Sequence, residues 1–130
     1  MLSILLNIFV ILVALFILGV IIFAHELGHY LAARLTGMKA EIFSLGMGPP
    51  IWKKKIGETE FRISWIPFGG YVALPQLDPE AMETIQGKTD KAETKPYPQI
   101  PWWKRIIVAA AGSFGNLVFA VILAVLTFLA

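Results

Sequence analysis

The sequence predicts an α-helical membrane protein: two transmembrane helices joined by a cytoplasmic loop that contains a short β-hairpin or small sheet. Three observations predict it. Hydrophobic residues fill 57% of the 130 positions and charged residues only 15%, and the mean hydropathy of +0.71 lies well above that of a soluble domain, where about a quarter of residues are charged. All 11 Lys and Arg fall between Arg34 and Arg105, together with every acid except Glu26. Either end is therefore an uncharged run, Met1 to Ala24 and Ile106 to Ala130, long enough as a helix to cross a hydrocarbon core of about 30 Å.

Composition also excludes function classes. A net charge of +2 is too balanced for a nucleic-acid binder, so no nucleic-acid partner is expected. The absence of cysteine removes disulfide scaffolds, thiolate metal sites and cysteine nucleophiles. The first apolar run is read as a span and not as a cleaved signal peptide, because such peptides carry a basic leading region and here the first basic residue is Arg34.

Taken in order, residues 1–34 form the first transmembrane helix. Residues 35–75 form a membrane-associated β-hairpin region. A strand is expected around Glu41 to Phe43, ending at Gly46-Met47-Gly48-Pro49-Pro50, and Lys53-Lys54-Lys55 with Ile56-Gly57 reads as a basic hairpin tip. Glu60-Phe61-Arg62-Ile63-Ser64-Trp65 alternates with the period of a half-buried strand. Pro67-Phe68-Gly69-Gly70 reads as a turn and Tyr71 to Leu74 as the returning strand. Residues 76–101 form a flexible linker: Asp78-Pro79 opens a short helix ending near Gly87, and Lys88 to Pro101 lacks apolar periodicity. Residues 102–130 form the second transmembrane helix, with Trp102, Trp103, Lys104 and Arg105 as its interfacial anchor. The positive-inside rule places the loop 34–105 in the cytoplasm and both chain ends across the membrane.

Chemistry concentrates at the end of the first helix. His25-Glu26-Leu27-Gly28-His29 fits H-E-x-x-H, and residues four apart on a helix lie one above the other, so both imidazoles can reach one metal ion from the same face. Glu26, beside them, can take a proton from water. Imidazole suits zinc, and a catalytic zinc site needs a third protein ligand besides His25 and His29. Gly28 within the motif suggests a close approach by another backbone, by substrate or by a packing neighbour. On the second helix, Ala111 and Gly115 form a small-xxx-small pair, with Gly112 and Ser113 adding close-contact surface. Asn116 is a membrane-helix amide that needs hydrogen-bond partners, either as glue between helices or towards a substrate backbone.

This constellation resembles the site-2 protease family of intramembrane zinc metalloproteases. The resemblance rests on H-E-x-x-H at the end of the first span, on Phe43-Ser44-Leu45-Gly46-Met47-Gly48-Pro49, on Pro67-Phe68-Gly69-Gly70-Tyr71-Val72, and on Ala111-Gly112-Ser113-Phe114-Gly115-Asn116, where Ser113 replaces the usual proline. It implies Zn2+ held by His25 and His29, Glu26 as the catalytic base, and hydrolysis of a peptide bond in or near a single-pass substrate's transmembrane segment. Gly46, Gly48, Gly69, Gly70 and Asn116 become candidates for guiding the substrate, the glycines in a membrane-dipping hairpin. The family's third ligand is an aspartate in a later Asn- and Pro-rich motif ending Leu-Asp-Gly. Leu77-Asp78 lacks that context, so the aspartate is expected from a missing C-terminal portion of the same enzyme. A bacterial inner membrane is the expected location. The alternatives are a membrane-tethered zincin facing the cytoplasm and a truncated, non-catalytic membrane fragment.

Overall fold

The computed structural model describes residues 1–77 and 98–130. The short helix expected from Asp78 and most of the linker lie outside them. Two helices flank a small sheet: α1 (Leu2–Thr36), β1 (Ile42–Ile56), β2 (Thr59–Ala73) and α2 (Trp102–Leu129).

α1 has 35 residues and is about 52 Å long at 1.5 Å per residue. It continues without a break from the apolar run through H-E-x-x-H and two residues beyond the expected end. It stops because Gly37 adopts a left-handed conformation (φ 83°). The Gly37 amide then donates to the Arg34 carbonyl and the Met38 amide to that of Ala33, at 3.4 and 2.8 Å. This reversal satisfies two carbonyls that the helix end leaves open and tucks buried Met38 against buried Ala33. α2 runs antiparallel to α1, as three cross-contacts require: Lys104 reaches Thr36, Val108 reaches His29, and Asn116 reaches His25. Ser113 leaves α2 unbroken, since serine retains the N–H that proline lacks.

The sheet departs from expectation. Pro67-Phe68-Gly69-Gly70 is not a turn but part of the continuous strand β2, and Gly46 to Pro50 do not end β1. Each strand instead changes partner along its length. Lys53, Lys54 and Lys55 pair with Arg62, Phe61 and Glu60, so the lysines lie in β1 and the hairpin tip is Gly57-Glu58. Ile42 to Leu45 then sits between two parts of β2, with Glu60 to Ile63 along one side and Gly70 to Ala73, antiparallel, along the other. Such a change of partner needs bends, and Gly46, Gly48 and Gly69 supply them with φ of 83°, 84° and 96°. A Cβ on Gly46 would stand 2.7 Å from the Ile66 carbonyl oxygen, so the crossing strands also require its bare backbone. Inside the bend, Ser44 donates to the Gly46 carbonyl at 2.9 Å and meets the Ser64 hydroxyl at 3.1 Å.

Phe43 fastens the sheet to α1. Its ring meets Phe23 and Tyr30 of α1 edge-on and lies tilted on Phe61, with centroids 5.6 to 5.8 Å apart, the offset geometries aromatic quadrupoles favour. The main core gathers Ala33, Met38, Ala40, Leu74 and Val108 where both helices meet the sheet. Away from that junction, large apolar side chains are exposed along both helices and at the far end of the sheet, from Met47 and Ile51 to Trp65 and Phe68. Both helices are long and apolar enough to cross a membrane.

Candidate metal and catalytic site

The H-E-x-x-H turn offers two faces of α1 to two partners. Successive helical residues are turned by about 100°, so Glu26 and the histidines point to different neighbours. Phe23, Glu26 and Tyr30 share the face that the sheet covers, and Glu26 is buried there. Gly70 of β2 makes this fit: a Cβ on it would stand 3.2 Å from Glu26 Cγ and 3.0 Å from Ile22. His25 and His29 share the other face, against α2.

The two imidazoles converge. Their Nε2 atoms are 3.2 Å apart, near the roughly 3.3 Å edge of a tetrahedron with metal–nitrogen distances of about 2.0–2.1 Å. On the far side of each ring, α2 holds Nδ1. The His29 Nδ1–H donates to the Val108 carbonyl at 2.7 Å, and Asn116 Nδ2 lies 3.2 Å from His25 Nδ1. Carbonyl and amide groups behind ligand imidazoles are what fixes their orientation in metal sites. Between these two supports lies Gly112, which is buried. A Cβ there would collide with His29 Nε2 and stand 2.6 Å from that of His25. The space in front of both nitrogens is thus open only because residue 112 has no side chain. Imidazole donors, their spacing and this cradle fit a zinc-sized ion.

Val108, Gly112 and Asn116 are four residues apart, so one face of α2 reads the matching i, i+4 face of α1. Sequence reasoning singled out Asn116 but missed the Val108 carbonyl and the clearance at Gly112; the shared four-residue spacing was the available signal. The helices approach closely enough for this because small residues line the crossing. A Cβ on Gly28 would collide with the Ala111 carbonyl oxygen, and one on Gly115 would stand 2.6 Å from that of Ala24. Gly28 is therefore a close backbone approach by α2. Of the four glycines expected to guide substrate, Gly70 adjoins Glu26, whereas Gly46, Gly48 and Gly69 shape the bends of the sheet. Among the described residues, no group of three or more His, Cys, Asp or Glu is placed to hold one ion.

Outside the helices, the Arg62 guanidinium donates to Glu60 at 3.0 Å and holds its carboxyl below the usual carboxylate range.

A helix-borne H-E-x-x-H with both imidazoles on one face is the arrangement that zincin-type metallopeptidases use. The comparison with known proteins is more specific. Residues 13–130 match peptidase family M50, the site-2 protease family, and the chain belongs to it. Relatives named "Putative zinc metalloprotease" include one from Chlamydia trachomatis, 44% identical over 107 residues (80% of this chain and 17% of the relative). Another, from Helicobacter pylori, is 40% identical over 110 residues (85% and 31%). A third, from Borreliella burgdorferi, is 43% identical over 105 residues (81% and 24%). The chain thus matches between about a sixth and a third of the length of these relatives.

Proposed function

We propose that this chain is the N-terminal part of a zinc-dependent intramembrane protease, with His25 and His29 as two metal ligands and Glu26 as the catalytic base. The observation that carries this reading is the 3.2 Å convergence of the two Nε2 atoms on a helix apolar enough to cross a membrane. Membership of family M50, with relatives named as zinc metalloproteases, supports it. The third ligand, an aspartate, comes from the C-terminal portion of the same enzyme.

Bound zinc supplies Lewis-acid polarisation of water and of the scissile carbonyl. Glu26 accepts the water's proton and returns it to the departing amine, acting as base and then acid. Glu26 is buried on the sheet-facing side of α1, which limits the solvent around its side chain. His29 is held by Val108 and His25 by Asn116, so neither imidazole needs to reorient when substrate arrives. The unbroken run of α1 from apolar segment into motif favours this reading over a tethered zincin that works in the cytoplasm.

Substrates are single-pass transmembrane segments. A helical peptide hides its carbonyls, so the substrate must unwind, and unwound backbone needs hydrogen-bond partners within the bilayer. Gly70 to Ala73 pairs with β1 along one side, and its other edge is a strand template beside Glu26. The exposed Met47, Ile51, Trp65 and Phe68 let that end of the sheet dip into lipid. The enzyme resides in a bacterial inner membrane with the sheet side cytoplasmic and both ends of this chain opposite. The test is Glu26→Gln in the full-length protein: zinc content is retained while cleavage of a reconstituted single-pass substrate falls by about 10²–10⁴-fold. Undiminished cleavage overturns the reading.

A further inference from the structure

We propose that Lys53, Lys54 and Lys55 dock the sheet on the headgroups of anionic phospholipids. The proposal deepens the reading in which the far end of the sheet dips into lipid, and rests on it.

The fold takes these lysines away from where a solvated turn would hold them. They lie within β1, and the hairpin tip beyond them is Gly57-Glu58. Pairing against Arg62, Phe61 and Glu60 puts them on the outermost line of the sheet, and no described strand pairs with their other side. All three are exposed, and among the described residues none of them forms an ion pair or hydrogen bond. Glu60, the acid opposite Lys55, is engaged by Arg62 at 3.0 Å. The hairpin from Ile51 to Ile63 therefore sets four cations against Glu58 and Glu60, an excess of two positive charges.

Directly beside this basic stretch the surface turns apolar. Lys53 pairs with Arg62 and Trp52 with Ile63, so the change falls at one level on both strands. From there to the far end, the exposed side chains of Trp52, Ile51, Met47, Trp65, Ile66 and Phe68 are apolar. A boundary of this kind, with a tryptophan on it, fits the junction between hydrocarbon and headgroups. At about 3.3 Å per residue, Lys53 to Lys55 lie within about 10 Å of it. The headgroup layer is about 5–8 Å deep on each side of a bilayer, and the lysine stem lets the ammonium settle at the phosphate level.

The occupant follows from which way the lysines face. Successive strand residues point to opposite sides, so Lys53 and Lys55 serve one side of the sheet and Lys54 the other. Lipid surrounds a dipping sheet on both sides, whereas a protein partner lying on one side would meet only part of the charge. A second copy paired in register along the free edge would set lysine against lysine, which cross-strand pairing disfavours. The excess positive charge selects lipids with a net negative headgroup over zwitterionic ones. One row of the sheet carries this anchorage towards the site: Lys53 pairs with Arg62, Arg62 with Ser44, and Ser44 with Tyr71, the residue after Gly70. The depth at which the lysines settle is thereby tied to the height of β2 beside Glu26.

The test uses the full-length protein in nanodiscs of equal parts phosphatidylglycerol and phosphatidylcholine. One lipid at a time carries a photoreactive group close to the glycerol, and adducts within residues 47–68 are located by peptide mass spectrometry. Wild type should take phosphatidylglycerol over phosphatidylcholine there by about fivefold or more, the factor that one lysine contributes at an anionic surface. Lys53→Gln, Lys54→Gln and Lys55→Gln together bring the ratio to parity, while Lys53→Arg, Lys54→Arg and Lys55→Arg together keep it. Inorganic phosphate added at matched ionic strength leaves the label in place. Equal labelling of wild type by the two lipids, an unchanged preference in the glutamine variant, displacement by inorganic phosphate, or a dimer cross-linked through this edge in place of lipid adducts each overturns the proposal. Labelling by both lipids without preference leaves the dipping of the sheet intact. If neither lipid labels residues 47–68, the dipping reading itself fails, and the proposal with it.

Discussion

His29 donates its Nδ1 proton to the carbonyl of Val108 at 2.7 Å, across the gap between two antiparallel helices. That hydrogen bond links residues 79 positions apart. It aims Nε2 of His29 toward His25, so α2, which contributes neither imidazole, determines where both of them point.

Gly112 is the clearest case in which an added methyl group separates helix stability from metal binding. Alanine exceeds glycine in helix propensity by about 1 kcal/mol, yet its Cβ would enter the space before both Nε2 atoms. Gly112→Ala should leave helical circular dichroism intact while bound zinc falls at least tenfold by mass spectrometry. Zinc at the wild-type level would show that the cradle lies elsewhere.

At Gly28 the obstacle is backbone. A side chain there meets the carbonyl of Ala111, and overpacking of this kind costs about 1–3 kcal/mol. Gly28→Ala should lower the stability of the helix pair by that amount in reversible unfolding from mixed micelles. Gly37→Ala, at a left-handed position with open space around it, should cost less in zinc binding, because it loosens only the end of α1.

Lys104 donates to the last carbonyl of α1, that of Thr36, at 3.1 Å. A cation at a helix C-terminus contributes about 0.3–1 kcal/mol, and this one also bridges the two helices. Lys104→Met should destabilise the pair by that amount, with the difference shrinking in high salt. A salt-independent loss would instead indicate that apolar packing of the lysine stem dominates.

The Glu60–Arg62 pair predicts a pH effect whose sign is determined. The Arg62 hydrogen bond lowers the folded-state pKa of Glu60 below its unfolded value, so the pair's contribution is full above the unfolded carboxylate pKa and is lost as pH falls through the folded one. Because the Glu60 side chain is 27% exposed, the contribution is about 1 kcal/mol at most. Stability compared between pH 7 and pH 3 should fall more steeply in wild type than in Glu60→Gln. Equal slopes would remove Glu60 from the acid response.

The helices were legible because their cause is local. Met1 to Ala24 and Ile106 to Ala130 are uncharged, and α1 and α2 end within two residues of the expected bounds. The sheet was half legible: alternation from Glu60 to Trp65 marked a strand, but Pro67-Phe68-Gly69-Gly70 was read as a turn. Glycine serves a turn and a bent strand equally, by allowing positive φ. What distinguishes them is the partner: Gly70 to Ala73, beyond the bend, pairs with the free side of Ile42 to Leu45, whose other side already holds Glu60 to Ile63.

By itself, then, the sequence determined two apolar helices and two imidazoles on one helical face, since an unbroken apolar run and a four-residue spacing are properties of neighbouring positions. Only the tertiary structure decided what stands behind those imidazoles and beside Glu26. The Val108 carbonyl, the bare Gly112, the amide of Asn116 and the gap at Gly70 act across 44 to 91 positions of chain. Contacts at that separation follow from how closely backbones can approach, and local patterning does not encode that distance.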